Sequence, residues 1–527
     1  MTRISLRPLA ALGVVAAGLL YVGCGRPNPA STTTIKSTSA QTTVAAPEPA
    51  AADGAKLLAD WPTPAGAVVI SGEQGGYLEP CGCTQGQLGG LGRRYDLAER
   101  LRAQGLPLAL VDLGGLIADP ASARGGIEQT KIKFNVALRA LTAMKYDAIA
   151  LSAADLKVGV AETLGQLLNM GDGPKVVAAN VEPAQGFEGA IRKSVVTTAG
   201  PVKVGITAVL DPETWDALPD PDKAALIPIS SPQQALPAVL ADLEKRTDVQ
   251  ILLVQGPPER AKALAETFPE FDLVVATSHV ADPPDQPESL NGGRTMLISV
   301  GKKGKYVGVV GLFPNAEPRF RYKRVTLGPR YKMAEPIAKL LNEDYQDELK
   351  AVGVVENISR RVNIKGAPGS TYVGAEACKG CHPNTFNKWA STKHAHAFES
   401  ITHDPRGNRS ADAECISCHT TGFEFVGGWV SPEKTLVLKG NGCENCHGPS
   451  SKHVAEPDNL DFRKAIALKA AEADRSGLCL KCHDEDNSPK FDFATYWGKV
   501  MHNGLDSYSD PKVHQGKPAA VAGRTAP

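Results

Sequence analysis

The chain has 527 residues, and its 57 basic and 57 acidic side chains give a formal net charge of zero at pH 7. This length suits two or three domains, and the balanced charge gives no electrostatic reason to expect a nucleic-acid partner. Cysteine and histidine, at 11 residues each, are unevenly placed, because ten histidines lie at His382 or beyond. The C-terminal part therefore differs in chemistry from the rest.

Residues 1–24 have the pattern of a bacterial export signal. Arg3 and Arg7 provide a positive start, and the apolar run that follows, residues 9–22, is short for a membrane-spanning helix. The run ends at Cys24 after a small residue, which resembles a lipobox. We expect Cys24 to be lipidated after cleavage of the signal. A plain secretory signal or an uncleaved anchor, with Cys24 incidental, is the alternative.

Residues 25–62 are rich in Pro, Ser, Thr and Ala. This composition is typical of a flexible linker rather than of a packed domain.

Residues 63–330 alternate short apolar runs with helical patterns, which predicts an α/β layered domain. The candidate strands are Ala67–Ser71, Leu108–Leu113, Ala148–Leu151, Lys175–Ala179, Val204–Val209, Ile251–Gln255, Leu273–Ala276 and Met296–Val300. The candidate helices are Arg94–Gln104, Gln129–Met144, Val160–Leu168, Pro232–Lys245 and Pro258–Thr267.

Several of these candidate strands are followed by loops with recognisable motifs. The motifs are Ser71–Gly76 with Gly89–Arg93, Val111–Gly115, Tyr146–Asp155 and Asp272–His279. They resemble the calcineurin-like metallophosphatases, specifically the secreted 5′-nucleotidase branch. That family binds two metal ions through Asp, Asn and His side chains. At the matching positions this chain has Glu73, Gly75, Gly115, Ala153, Ala154, Gly256 and Thr277. We therefore expect a metallophosphatase-like domain that lacks most metal ligands, with residual phosphatase or nucleotidase activity as the alternative.

Cys81 and Cys83 form a C-x-C pair on the loop after the first candidate strand. His279, the histidine retained from the last motif, is expected at the same edge of the domain. The two thiols could bind a soft metal or cycle between dithiol and disulfide. A structural disulfide or two inert thiols explains the pair equally well.

Residues 331–369 begin with an amphipathic helical pattern over Tyr331–Val352 and end in a Gly- and Pro-rich break near Gly366. This pattern predicts a helical connector packed on the middle domain.

The pentapeptide C-x-x-C-H occurs four times between Cys378 and His483. Two thiols at this spacing can bond the two vinyl groups of one porphyrin, and the next residue can bind its iron. Zinc knuckles would not require the histidine in every copy. We predict four haems c in residues 370–515, followed by a disordered tail, residues 516–527. The attachment cysteines are Cys378, Cys381, Cys415, Cys418, Cys443, Cys446, Cys479 and Cys482, and the proximal ligands are His382, His419, His447 and His483.

The motifs are surrounded by further matching stretches, namely Tyr372–Gly374, Trp389–Ser391, His394–Ala397 and Gly442–Pro449 followed by His453. Together they resemble the cytochrome c-552/c-554 family of multihaem electron carriers. The resemblance implies a mainly α tetrahaem domain with its haems stacked in pairs.

Distal iron ligands have to come from the other histidines of this region. By motif match His394 and His453 come first and His502 follows, with Met501 a weaker candidate. His396 is a candidate for the fourth iron. His403 is another candidate for that iron, and His514 lies in a polar tail where we expect it to be solvated. A fourth iron without a protein ligand on its distal side is the alternative.

These features predict an exported tetrahaem cytochrome, membrane-anchored through lipid on Cys24, that passes electrons between respiratory redox partners at the periplasmic or outer face. An electron carrier is favoured over an enzyme. The alternative is an oxidoreductase of a small inorganic substrate, acting at a haem or at Cys81 and Cys83.

Overall fold

The structure is a computed structural model that describes residues 57–80 and 87–506. The predicted signal, most of the linker and the C-terminal tail lie outside these residues, and so do Cys24, Cys81, Cys83 and His514. Within the described ranges, no helix is both long enough and apolar enough to cross a membrane.

Twelve strands form two six-stranded sheets in the described part of the chain. In chain order they are β1 (Gly66–Ser71), β2 (Leu108–Asp112), β3 (Ala148–Ala150), β4 (Lys175–Val177), β5 (Ser194–Ala199), β6 (Val202–Leu210), β7 (Val249–Gln255), β8 (Leu273–Ala276), β9 (Glu288–Leu290), β10 (Thr295–Ser299), β11 (Tyr306–Leu312) and β12 (Phe320–Thr326). The strand orders are β12-β11-β1-β2-β3-β4 and β5-β6-β7-β8-β10-β9.

The α-helices of the described residues fall into two groups along the chain. The first group, in the α/β part and the connector, is α1 (Leu91–Ala103), α2 (Gly126–Ala143), α3 (Val160–Leu168), α4 (Pro212–Asp216), α5 (Lys223–Leu226), α6 (Pro232–Glu244), α7 (Pro258–Thr267), α8 (Glu335–Lys339), α9 (Tyr345–Val352) and α10 (Val354–Asn357). The second, in the haem-motif region, is α11 (Pro383–Ala390), α12 (Ala397–Thr402), α13 (Ala413–His419), α14 (Pro432–Thr435), α15 (Cys443–His447), α16 (Ser451–Ala455), α17 (Leu460–Ile466), α18 (Ala470–Arg475) and α19 (Phe493–Val500). The predicted fold class, an α/β layered part followed by a mainly helical part, is confirmed.

The α/β part has four layers, because both faces of each sheet are buried. Along β1, Val69 points toward the helices while Val68 and Ile70 point toward the second sheet, as the two-residue strand period requires. Along β7, Leu253 faces the first sheet and Leu252 faces the outer helices. Helices α1 to α3 cover the first sheet, whereas α6 and α7 cover the second.

All eight candidate strands are present, but four further strands are not among them. These are β5, β9, β11 and β12, and each pairs antiparallel with a neighbour. The consecutive pairs β5–β6, β9–β10 and β11–β12 are each joined without an α-helix, so strand–helix alternation did not indicate them. In addition, β12 contains three basic residues, a composition suited to an exposed edge strand.

The connector contains the predicted amphipathic helix, which begins at Glu335 rather than Tyr331. It continues through a π-turn at Leu340–Asp344 and ends at Gly353 in the left-handed conformation, with φ of 67°. Its buried side packs on α2, where Gln129 donates a 2.9 Å hydrogen bond to the hydroxyl of Tyr345.

A buried ion pair lies at the carboxyl edge of the first sheet, where β1 and β2 end. The guanidinium of Arg94 lies 3.1 Å from the carboxylate of Asp112 and also donates to Ser71 and Gln74. Arg94 is only 1% exposed and Asp112 is fully buried. Next to this pair, Asp155 accepts hydrogen bonds from three successive backbone amides, residues 115–117, at 2.7–3.2 Å. Both carboxylates therefore have protein partners at the edge where the sequence resemblance placed metal ligands.

We predict that Arg94→Met lowers the free energy of unfolding by about 3–5 kcal/mol, because it leaves the Asp112 charge buried without its cation. The matched control is Arg246→Met, whose exposed pair with Asp242 on α6 has a distance of 2.7 Å and should contribute less than about 1 kcal/mol. Urea unfolding followed by circular dichroism measures both. Equal losses in the two variants would contradict this assignment.

Candidate haem-binding site

The four C-x-x-C-H motifs lie on short helical segments in the described structure. The second motif ends α13, and the third makes up α15. The first motif begins at the last residue of a 3₁₀ turn, Ala375–Cys378, and the fourth contains the 3₁₀ turn Cys479–Lys481. In the first, the amide of His382 donates to the carbonyl of Cys378 at 2.9 Å, and in the fourth the amide of His483 donates to Cys479 at 2.8 Å. A helical turn of this kind places residues three apart on one side, which suits two thiols that bond one porphyrin.

The motifs are arranged in two neighbouring pairs. The thiols of Cys378 and Cys443 lie within hydrogen-bonding reach of each other, and so do those of Cys418 and Cys482. The first motif is therefore beside the third, and the second is beside the fourth.

Three proximal histidines each face one of the candidate distal histidines. The ring centres are 6.4 Å apart for His382 and His453, and 6.1 Å apart for His483 and His394. The third pair, His447 with His502, has a separation of 5.8 Å. Imidazole–metal bonds of about 2 Å place two rings on opposite sides of one metal ion with centres roughly 6 Å apart. The three pairs thus fit two-sided binding of an iron.

The hydrogen bonds of the histidines leave a ring nitrogen for the iron. The Nδ1 of His447 lies 2.8 Å from the carbonyl oxygen of Ile466, and that of His419 lies 2.6 Å from Ala397. Because a carbonyl only accepts, Nδ1 carries the hydrogen and Nε2 keeps its lone pair. On His453, Nδ1 is buried without a partner among the described residues, which fits an atom reserved for a metal or cofactor.

Burial also favours the neutral, metal-binding form of these rings. Loss of solvent contact lowers the pKa of five of them: His382, His394, His447, His453 and His483. A neutral imidazole has the free lone pair that a metal requires.

His419 differs from the other proximal histidines. Among residues 57–80 and 87–506, no second histidine ring lies opposite it. The two candidates for this place make other contacts, since His396 donates from Nε2 to the carbonyl of Ala390 and His403 donates from Nδ1 to that of Glu399, each at 3.0 Å. The structure does not bring His396 opposite any proximal ring, and its role as a distal ligand stays a prediction.

Of the second predicted site, Cys81, Cys83 and His279, only His279 lies among the described residues. His279 is exposed, and its Nε2 lies 3.5 Å from a carboxylate oxygen of Glu259. Cys81 and Cys83 lie outside the described residues. In the part that is described, no group of three or more His, Cys, Asp or Glu side chains is placed to hold a metal ion. At the carboxyl edge, burial raises the pKa of Glu73 to about 7.

The haem-motif region packs against the carboxyl edge of the first sheet. Lys133 of α2 is buried and bridges the two parts, because its Nζ donates to the carbonyl of Gly76 at 2.9 Å and to Glu414 at 2.5 Å. Near the fourth motif, Tyr77 and Lys303 each donate to the carboxylate of Asp486 at 2.6 Å. Sequence reasoning missed these residues, since single basic and aromatic side chains carry no spacing signal.

Arg124, in the loop before α2, is a further contact that no motif indicated. Its guanidinium reaches both the second and fourth haem motifs, with distances of 2.8 Å to Sγ of Cys418 and 2.8 Å to the carbonyl oxygen of Lys481.

Solved structures with similarity to this chain include a nucleotidase precursor, a thiohydrolase and a phosphoesterase. A 5′-nucleotidase precursor from Thermus thermophilus is 17% identical, with a TM-score of 0.44. The match covers 61% of this chain and 67% of the nucleotidase chain. The sulfate thiohydrolase SoxB of Thermus thermophilus is 13% identical, with a TM-score of 0.47. That match covers 62% of this chain and 69% of the SoxB chain. The calcineurin-like phosphoesterase YfkN of Bacillus subtilis is 18% identical, with a TM-score of 0.41. That match covers 55% of this chain and 98% of the YfkN chain. At these values no activity and no residue role is transferred to this chain.

Part of this chain matches a protein family, and the chain also has a similar protein of known name. Residues 377–448 match the model of the family described as cytochrome c554 and c-prime. Cytochrome c-554 of Nitrosomonas europaea is 28% identical over 139 residues, which covers 22% of this chain. The match spans 59% of the length of that relative. The family implies haem c, and its matched segment contains the first three motifs, while the fourth follows it. Residues 377–448 are thus similar to the cytochrome c554 family, and the resemblance predicted from the motifs is confirmed.

Proposed function

We propose that this protein is an electron carrier with four covalently attached haems c, three of which have two histidine ligands. The observation that supports this most directly is the set of three facing imidazole pairs, at ring separations of 5.8–6.4 Å. A haem bound at each motif supplies a one-electron centre. The chain contributes the attachment cysteines, the proximal histidines and, at three sites, a second imidazole on the opposite side.

The neighbouring motif pairs support transfer between centres. Cys378 lies beside Cys443, and Cys418 lies beside Cys482, so each attachment site has a second one next to it. A carrier of electrons needs such short separations, because electrons pass between centres only over short distances. Redox partner proteins would supply and remove the electrons.

The α/β part acts, in this proposal, as a scaffold rather than as a hydrolase. Its carboxyl edge is where open α/β sheets usually bind ligands. Here Arg94 neutralises Asp112 at that edge. The haem-motif region contacts the α/β part through Glu414, which accepts from Lys133, and through Asp486, which accepts from Lys303.

The proposed electron carrier predicts the spin states of its four irons. A histidine-to-alanine change at His453 removes the imidazole opposite His382, so one six-coordinate, low-spin iron should become high-spin. Electron paramagnetic resonance of the oxidised protein, together with a haem count per chain, measures this. His396→Ala is the matched control, since its ring faces no proximal histidine.

The expected wild-type result is four haems per chain, three of them low-spin. Fewer than four haems would refute the proposal, and so would a His453→Ala spectrum identical to that of the wild type. An equal change in His396→Ala would show that the rings are paired differently.

A second candidate function is reaction with a small inorganic molecule at the haem attached next to His419. This is favoured by the absence, in the described residues, of a histidine ring opposite His419. We expect carbon monoxide to bind the reduced protein at one site per chain, measured by titration of the absorption spectrum. Failure to bind would show that this iron also has a protein ligand on its distal side and would leave electron transfer as the function.

We also propose that the protein is exported and anchored to a membrane by lipid on Cys24, at the periplasmic or outer face. The signal-like start and the small residue before Cys24 support this. We expect Cys24→Ser to move the protein from the membrane fraction to the soluble fraction while it keeps its haems. Retention of the variant in the membrane fraction would contradict lipid anchoring.

A further inference from the structure

Arg124 brings a positive charge from the α/β part to the second haem motif. One guanidinium nitrogen, Nη1, lies 2.8 Å from Sγ of Cys418 and 3.2 Å from Oγ of Ser417. The other, Nη2, donates to the carbonyl of Lys481 at 2.8 Å and to the carboxylate of Asp484 at 3.3 Å. The side chain is 28% exposed, so most of it is removed from water. It thus lies between the second and fourth motifs.

The other charges at this interface have partners of their own. Lys133 pairs with Glu414 at 2.5 Å, and Gln129 donates to Asp412 at 2.7 Å. Arg124 pairs with Asp484, whose side chain is 37% exposed and is therefore partly screened by water. The positive charge beside Cys418 is consequently neutralised only in part.

A cation at this place has a defined effect on a haem attached through Cys418. Reduction adds one electron from a redox partner to the ferric iron, breaks no bond and lowers the positive charge of the site by one. A nearby guanidinium repels the more positive, oxidised state, and a hydrogen bond to the sulfur withdraws electron density from the porphyrin edge. Hydrogen bonding and burial around a haem are established means by which a protein adjusts its reduction potential.

We propose that Arg124 raises the reduction potential of the haem held by Cys415, Cys418 and His419. The α/β part thereby sets the position of this haem in the order in which the four irons are reduced. This inference rests on the proposed tetrahaem function. It gives the α/β part a role in electron transfer beyond that of a scaffold, since the residue that acts belongs to the loop before α2.

The test uses the full-length holoprotein and neutral variants of Arg124. Arg124→Gln removes the charge and keeps hydrogen-bonding groups, while Arg124→Met is a second neutral variant of similar length. Arg124→Lys keeps the charge and should retain most of the wild-type behaviour. The matched control is Arg139→Gln on α2, which makes the same change in net charge. Arg139 pairs with Asp344 and with Glu348 at 2.7 Å, away from the haem motifs.

The measurement is a redox titration followed by absorption spectroscopy, after a haem count for each variant. In the neutral variants the equilibrium constant for reducing one haem should fall by about tenfold, which corresponds to ~59 mV for one electron. A smaller fall at the haem of the fourth motif is consistent with the contact to Asp484. The reduction potentials of the other two haems should not change, and Arg139→Gln should leave all four potentials unchanged.

Two results would overturn the inference. One is a neutral variant that keeps four haems but whose four reduction potentials either do not change or all change by the same amount. The other is loss of haem from both neutral variants with retention in Arg124→Lys, which would place Arg124 in assembly rather than in tuning. Fewer than four haems in the wild type would instead refute the proposed function, so the two failures are distinguishable.

Discussion

In each C-x-x-C-H motif the predicted proximal histidine follows its cysteines directly, but at the three proposed two-histidine sites the second imidazole belongs to a distant part of the sequence. In this proposal, bringing these rings together is the constraint around which the C-terminal region is arranged. Short helices and turns bring His453 opposite His382, His394 opposite His483 and His502 opposite His447. Long helices would be less suited to it, because their rigid axes limit how closely four motifs can approach one another.

The haem-motif region does not stand apart from the α/β part. A single apolar core extends from Phe134 of α2 through Leu349 of the connector to Ile416 and Trp429 among the haem motifs. Polar contacts at the carboxyl edge of the first sheet add to it, and Lys133, Arg124 and Lys303 are among the cations that reach across. The edge at which α/β sheets commonly bind small ligands therefore contacts another part of the same chain.

Local patterns predicted the elements whose signal is contained in a few neighbouring residues. The eight candidate strands and five candidate helices of the α/β part are present, and at the start of α6 Ser231 and Gln234 form a capping box. The four antiparallel strands were missed, since each is joined to its neighbour along the chain without an α-helix, and alternation with helices was the signal used to find strands. At the carboxyl edge of the first sheet, the structure gives Asp112 a buried partner, Arg94, for which no sequence spacing gives a signal.

By itself, the sequence contains the four C-x-x-C-H motifs and predicts the attachment cysteines and the proximal histidines, because covalent attachment requires these residue types at a fixed short spacing. The predicted loss of most metal ligands rests instead on the resemblance to metallophosphatases. Only the tertiary structure decided which histidines face one another, that His396 is not opposite a proximal ring, and that Arg124 lies beside Cys418. Such contacts depend on how distant segments pack, and packing is the balance of many weak interactions that no short stretch of sequence contains.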